Sequence, residues 1–154
     1  MGNNPWMGKS VVIIDDSRRV REELRAAFTA CGMQVVAEAE NGVSGFDLVH
    51  QLKPEVASLD LIMPEMDGVE CYRKMHAASP ETKIIMISWL GGEPKILDNL
   101  KDLIPGYCFQ TKPVSAAELA TCLERVYFPH SIKVAGKSVV ETTEDFLDLG
   151  VKVS

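Results

Sequence analysis

The sequence has no apolar run approaching the roughly 20 consecutive residues of a membrane-spanning helix, so no membrane association is expected. Its opening, MGNNPWMGKS, lacks the apolar stretch of a secretory signal. Gly2 follows Met1, but Trp6 stands where an N-myristoylation signal carries Ser or Thr, which excludes that anchor. Residues 1–8 read instead as a short flexible arm. No two of the four cysteines, Cys31, Cys71, Cys108 and Cys122, share the close spacing of a zinc or dithiol motif, and a reduced, cytoplasmic chain is expected. Positive charge is also scarce. The formal charge of -6 and the pI near 5.1 set the surface against general binding to nucleic acid or an anionic membrane. Internal repeats and low-complexity tracts are absent.

What is present is enough for one domain. A chain of 154 residues, 46% of them apolar, can bury a core but has no room for a second full domain. From Ser10 onward, short β-branched runs alternate with amphipathic stretches, which predicts an α/β fold with helices around a parallel sheet. Strands are expected at Val11 to Ile14, Val35 to Ala39, Val56 to Leu59, Ile84 to Ile87 and Tyr107 to Gln110. Only the second alternates with polar residues, as a strand at an edge would.

Five helices are expected between and after these strands. In the first, Val20, Leu24, Phe28 and Cys31 recur at helical spacing, Ser17 stands as N-cap and Gly32 as a left-handed C-terminal cap. The others span Gly42 to Leu52, Gly68 to Ala78, Glu93 to Leu103 and Ala116 to Tyr127, the last opened by Ser115 and Glu118 at capping-box spacing. After Pro129 the rhythm stops. Residues 9–128 therefore read as the domain and 129–154 as an extension, with a small hairpin around Gly136 and a helical turn near Thr143 to Leu149 as its candidate structure.

In an open parallel sheet, ligands bind outside the carboxyl ends of the strands. Asp15 and Asp16 end the first predicted strand, Asp60 the third, Ser88 the fourth and Lys112, followed by Pro113, the fifth. Three carboxylates crowded together call for a cation, and hard oxygen ligands without His or Cys select Mg²⁺, with Mn²⁺ as the alternative. A nucleophilic carboxylate at such a site can accept a phosphoryl group as an acyl phosphate. The bland alternative is that the acidic pair merely caps the following helix. His50, His76 and His130 are isolated and read as solvated side chains.

Asp15-Asp16-Ser17, Leu59-Asp60-Leu61-Ile62-Met63-Pro64 with Asp67-Gly68, Ser88 and Thr111-Lys112-Pro113 stand in the order and spacing of a known pattern. From about Lys9 to Tyr127 the chain resembles the receiver domain of two-component response regulators, of the stand-alone chemotaxis-regulator kind. The resemblance implies a doubly wound, flavodoxin-like sheet of strand order 2-1-3-4-5. It implies phosphorylation of Asp60 by a histidine kinase or phosphotransfer protein. Asp15, Asp16, Asp60 and the Ile62 carbonyl would hold Mg²⁺, Ser88 would be the switch hydroxyl, Lys112 the phosphate-pairing lysine and Phe109 the switch aromatic. The Lys112–Pro113 peptide would be cis. The output would be a protein partner bound by the face of the helix at 93–103, the last strand and the helix at 116–127, not nucleic acid.

The chain departs from that pattern after Ser88, where Trp89 and Leu90 replace a small and a polar residue, and at Ile62, also polar in relatives. A receiver that loses its phosphoryl group slowly is expected, with Trp89 and Leu90 as modulators. The stretch from Ser88 to Lys112 is longer than common, so the fourth helix or its loop is altered. Two other readings stay open: a pseudo-receiver that binds partners without phosphorylation, and a haloacid-dehalogenase-type phosphatase, which would want a second acid where Ile62 stands.

Overall fold

A computed structural model describes residues 4–63, 68–89, 104–105, 108–129, 133–134 and 137–138. The five parallel strands β1 (Ser10–Ile14), β2 (Gln34–Ala39), β3 (Val56–Leu59), β4 (Lys83–Ser88) and β5 (Phe109–Thr111) form one sheet in the order β2-β1-β3-β4-β5. This is the flavodoxin-like order that the resemblance implied. β2 lies at the edge and is half-covered, in keeping with its alternating sequence. β5 starts later than the apolar run suggests, because the Cys108 amide bonds back to the Pro105 carbonyl at 2.9 Å and the chain is still turning there.

The helices α1 (Arg18–Ala30), α2 (Gly42–Leu52), α3 (Gly68–Ala78) and α4 (Ala116–Tyr127) cover both faces. Strand alternation sorts the core into two layers. Val12 and Ile14 of β1 face one way, into a cluster with Leu59, Met86, Cys71 and Met75 under α3. Val11 and Ile13 face the other way and pack with Leu24 and Phe28 of α1 and Leu119 and Leu123 of α4. Strands buried on both faces are continuous apolar runs for this reason, and their burial supplies most of the favourable free energy of folding.

The helix ends follow from their caps. The Ser17 hydroxyl accepts from the Val20 amide, and Ser115 with Glu118 forms the complete capping box. Gly32 takes a φ of +91° just beyond α1, a conformation that costs glycine little. At the other end of α2, Lys53 donates through its ammonium to the carbonyls of both His50 and Ala78, so one side chain ties down the ends of α2 and α3.

The expected flexible arm needs correction. Trp6 is buried, its indole N–H donates to the Cys31 carbonyl at 3.1 Å, and its ring packs 5.6 Å from that of Tyr127. An apolar ring with a polar handle finds both partners at the edge of the second core layer. Beyond α4, the short strands β6 (Lys133–Val134) and β7 (Lys137–Ser138) pair antiparallel. The expected helices at Glu93 to Leu103 and Thr143 to Leu149 lie outside the described residues. Among the described residues, no helix is long and apolar enough to cross a membrane.

Candidate functional site

The sheet ladder itself places the site. The amides of Asp15, Asp60 and Lys112 each make one more ladder bond past the end of their strands, to Ala39, Ile14 and Ser88 carbonyls at 3.0, 3.0 and 3.1 Å. Each side chain therefore leaves a fixed backbone. The Asp15 carboxylate is held through Oδ1 by the Ser17 amide at 2.9 Å, and Arg21, one turn into α1, donates to the Asp15 carbonyl at 2.7 Å. Gly68 opens α3 so close to the Asp60 segment that a Cβ there would lie 2.5 Å from the Leu61 carbonyl oxygen, which is why a side chain is excluded at that position. The Lys112–Pro113 peptide is cis.

Asp15, Asp60, Ser88 and Lys112 converge here, all buried, with Asp16 exposed at the rim. Lys112 Nζ lies 2.7 Å from Asp15 Oδ2 and 3.4 Å from Asp60 Oδ2, bridging the two carboxylates. Burial pushes the Asp60 carboxyl above the usual carboxylate range, and the Asp15 charge adds to that. The Lys112 ammonium and the Ile62 amide, which donates to Asp60 Oδ1 at 3.4 Å, pull the other way. A carboxylate made costly by burial and a like charge gains from any further cation.

The donor set fits a divalent ion. Asp15, Asp16 and Asp60 each offer a carboxylate oxygen, all within 4.8 Å of one another. Asp15 Oδ2 is buried and has the Lys112 ammonium, 2.7 Å away, as its cationic partner. Three carboxylates with no His or Cys beside them are hard oxygen donors, which suit Mg²⁺ or Mn²⁺ and not zinc.

The remaining sequence candidates take varied places. Phe109 is buried in the layer with Met86 and Ile104. Ile62 is 58% exposed beside Asp60, and Trp89 is 62% exposed with its ring centroid 5.9 Å from Lys112 Nζ. Leu90 lies outside the described residues. Sequence reading missed Arg21, whose guanidinium also pairs with Glu38 at 3.2 Å. Its place one turn after the Ser17 cap was the only available signal.

Comparison with known proteins agrees with this geometry. The response regulator receiver domain family matches residues 11–124. The chemotaxis protein CheY of Thermotoga maritima is 31% identical over 120 residues, which span 78% of this chain and 98% of that one. CheY of Listeria monocytogenes is 33% identical over 115 residues, 75% of this chain and 95% of that one. Among solved structures, a chain of the CheX–CheY–BeF₃–Mg²⁺ complex from Borrelia burgdorferi matches with a TM-score of 0.68 at 28% identity, covering 79% of this chain and 90% of that chain. With the sheet order, the acidic mouth and the matched span in agreement, the chain belongs to the response regulator receiver domain family.

Proposed function

We propose that Asp60 accepts a phosphoryl group from the phospho-histidine of a histidine kinase or phosphotransfer protein. The observation that carries this is Lys112 standing between Asp15 and Asp60, within an acidic trio whose carboxylate oxygens lie within 4.8 Å of one another. An Asp60 carboxylate oxygen attacks phosphorus, the P–N bond to the donor imidazole breaks, and the imidazole leaves with that electron pair. Asp15, Asp16, Asp60 and the Ile62 carbonyl would hold Mg²⁺, or Mn²⁺ in its place. That ion supplies positive charge against the phosphoryl oxygens when bound. Lys112, already within 3.4 Å of Asp60, pairs with a phosphoryl oxygen, and the buried Ser88 hydroxyl donates to another. As Ser88 and Lys112 follow the new charge, Phe109 repacks and a protein-binding face changes affinity. Residues 9–128 act as the receiver and 129–154 as its extension. The Borrelia CheY bound to CheX with beryllofluoride and Mg²⁺ supports a protein partner as the output.

Incubation with acetyl phosphate and Mg²⁺, followed by intact mass measurement, tests the reading. The wild type should gain one phosphoryl group and Asp60→Ala none. An unmodified wild type would favour a pseudo-receiver, and continuous phosphate release from many substrates a phosphatase. The latter reading lacks its second acid, because Ile62 stands at that position. The phosphorylated form is expected to decay slowly, since the bulky indole of Trp89 beside Lys112 restricts access of water and the apolar Leu90 and Ile62 offer no group to orient it. Leu90→Glu or Trp89→Ala should speed the decay, measured by mass after removal of acetyl phosphate; unchanged decay in both defeats that expectation.

A further inference from the structure

Arg21 stands one turn into α1 with its side chain only 14% exposed. Two edges of its guanidinium are in use. Nη1 donates to the Asp15 carbonyl at 2.7 Å, and Nε donates to Glu38 Oε1 of β2 at 3.2 Å. The other Glu38 oxygen accepts from Arg25 at 2.6 Å, so the carboxylate that holds Arg21 is itself held. A planar fork spans two acceptors in a fixed geometry, which an ammonium on a flexible stem does not.

The bonded carbonyl matters for the residue after it. A peptide unit is planar, so fixing the Asp15 carbonyl also fixes the direction in which the chain enters Asp16. On the far side, the Ser17 amide donates to Asp15 Oδ1 at 2.9 Å, and the Ser17 carbonyl accepts from the Arg21 amide at 2.9 Å. Asp16 is therefore clamped at both of its peptide bonds. It is the exposed member of the acidic trio, whereas Asp15 and Asp60 are buried. Packing aims a buried carboxylate, but an exposed one is aimed mainly by its backbone. Without the clamp, Asp16 would have to lose backbone as well as rotamer freedom on engaging a ligand.

We propose that Arg21 is a positioning residue for the divalent cation: anchored on Glu38 of β2, it fixes the Asp15–Asp16 peptide and so aims the exposed Asp16 carboxylate at the mouth. This rests on the reading of the acidic trio as a Mg²⁺ site. The guanidinium bonds run to a backbone carbonyl and to Glu38, so Arg21 acts through Asp16 and not as a partner of the phosphoryl group. Two effects of opposite sign meet at this residue. Its charge repels a cation, and its clamp favours one. Glu38, paired with it at 3.2 Å, offsets the charge, so the clamp dominates.

Binding of Mn²⁺ to the full chain, read from the loss of the free ion's paramagnetic resonance signal, provides the test. Arg21→Met should weaken Mn²⁺ binding about tenfold, the lower end for a group that orients a metal ligand. Arg21→Lys keeps the charge without the fork and should fall between that variant and the wild type. Arg25→Met loosens the same Glu38 but leaves the bond to the Asp15 carbonyl in place, so it should bind Mn²⁺ as the wild type does, whatever stability it loses in urea. Phosphorylation gives a second readout that general damage would not move in the same way. With acetyl phosphate, Arg21→Met should need about tenfold more Mg²⁺ for half-maximal modification of Asp60, yet approach the wild-type rate at saturation. If Arg21→Met does not fold, Arg21→Lys against Arg25→Met decides by the same comparison. Unchanged or tighter Mn²⁺ binding by the Arg21 variants overturns the proposal, as does an equal weakening by Arg25→Met. Absence of any Mn²⁺ binding by the wild type removes the metal reading and the proposal with it, whereas phosphorylation of Asp60 is judged separately by mass.

Discussion

Replacing Lys112 with methionine is expected to cost about 3 kcal/mol of folding stability at pH 7 in divalent-free buffer. The ammonium bridges two buried carboxylates, at 2.7 Å from Asp15 and 3.4 Å from Asp60. Methionine fills similar volume and so leaves little cavity, but it leaves two like charges facing each other without compensation. Removing one partner of a buried pair is costly for that reason, even where the intact pair adds little. Asp60 can relieve part of the repulsion by taking up a proton, which holds the effect to the lower end of the usual range. Urea denaturation would measure it, and a loss below about 0.5 kcal/mol, the size of an ordinary surface substitution, would count against the bridge. Millimolar Mg²⁺ should restore part of the loss, because a ligand bound only by the folded state stabilises it.

The opposite sign is expected when a charge is removed from the other side of the same pair. Burial and Asp15 raise the Asp60 carboxyl above its ordinary range, so between the unfolded value of about 3.9 and the raised folded value the native state binds more protons than the unfolded one. Stability from this group is therefore fully present below the unfolded value and falls as pH rises through that window. At neutral pH the Asp60 charge opposes folding, and Asp60→Asn should raise the melting temperature in divalent-free buffer. Its stability should also decline less than that of the wild type as the pH is raised through the window. A lower melting temperature for Asp60→Asn would mean that its hydrogen bond and pairing with Lys112 outweigh its burial.

How much of this was legible in the sequence depended on whether the cause was local. The strands β1, β3 and β4 are apolar runs because both sheet faces are covered, and runs are visible in one dimension. Ser17 and Ser115 announce helix starts because capping acts across three residues. The positions of Asp15, Asp60 and Lys112 at strand ends followed from the same pattern, while strand order came only through family resemblance. The extra ladder bonds and the Arg21 tether were not legible, since each depends on an angle or a contact between distant residues. The late start of β5 was missed because apolar Cys108 sits in a turn and still packs against both core layers.

Trp6 is the clearest case of a non-local cause, and Trp6→Ala is expected to cost about 3 kcal/mol. Nothing periodic marks it among Asn3, Asn4, Pro5 and Gly8, yet it is only 4% exposed. Its indole N–H bonds to the Cys31 carbonyl at the end of α1, and its ring meets Tyr127 at the end of α4. Tyr127 in turn donates to Glu55 at 3.0 Å and lies under the Lys83 ammonium, 4.6 Å from the ring centroid. One side chain thus joins two helices to the starts of β3 and β4. A fully enclosed Trp loses about 3–5 kcal/mol on truncation, but Pro5 and Met7 on either side are exposed and leave the site room to collapse, so the lower figure applies. Deleting residues 1–8 should cost at least as much as Trp6→Ala, because it releases the same contact and also the bond from the Gly8 amide to the Gly32 carbonyl at 2.7 Å. Urea denaturation of the two variants decides the matter: a loss below about 0.5 kcal/mol in either would mean that the N-terminal turn rests on the domain without holding α1 and α4 to it.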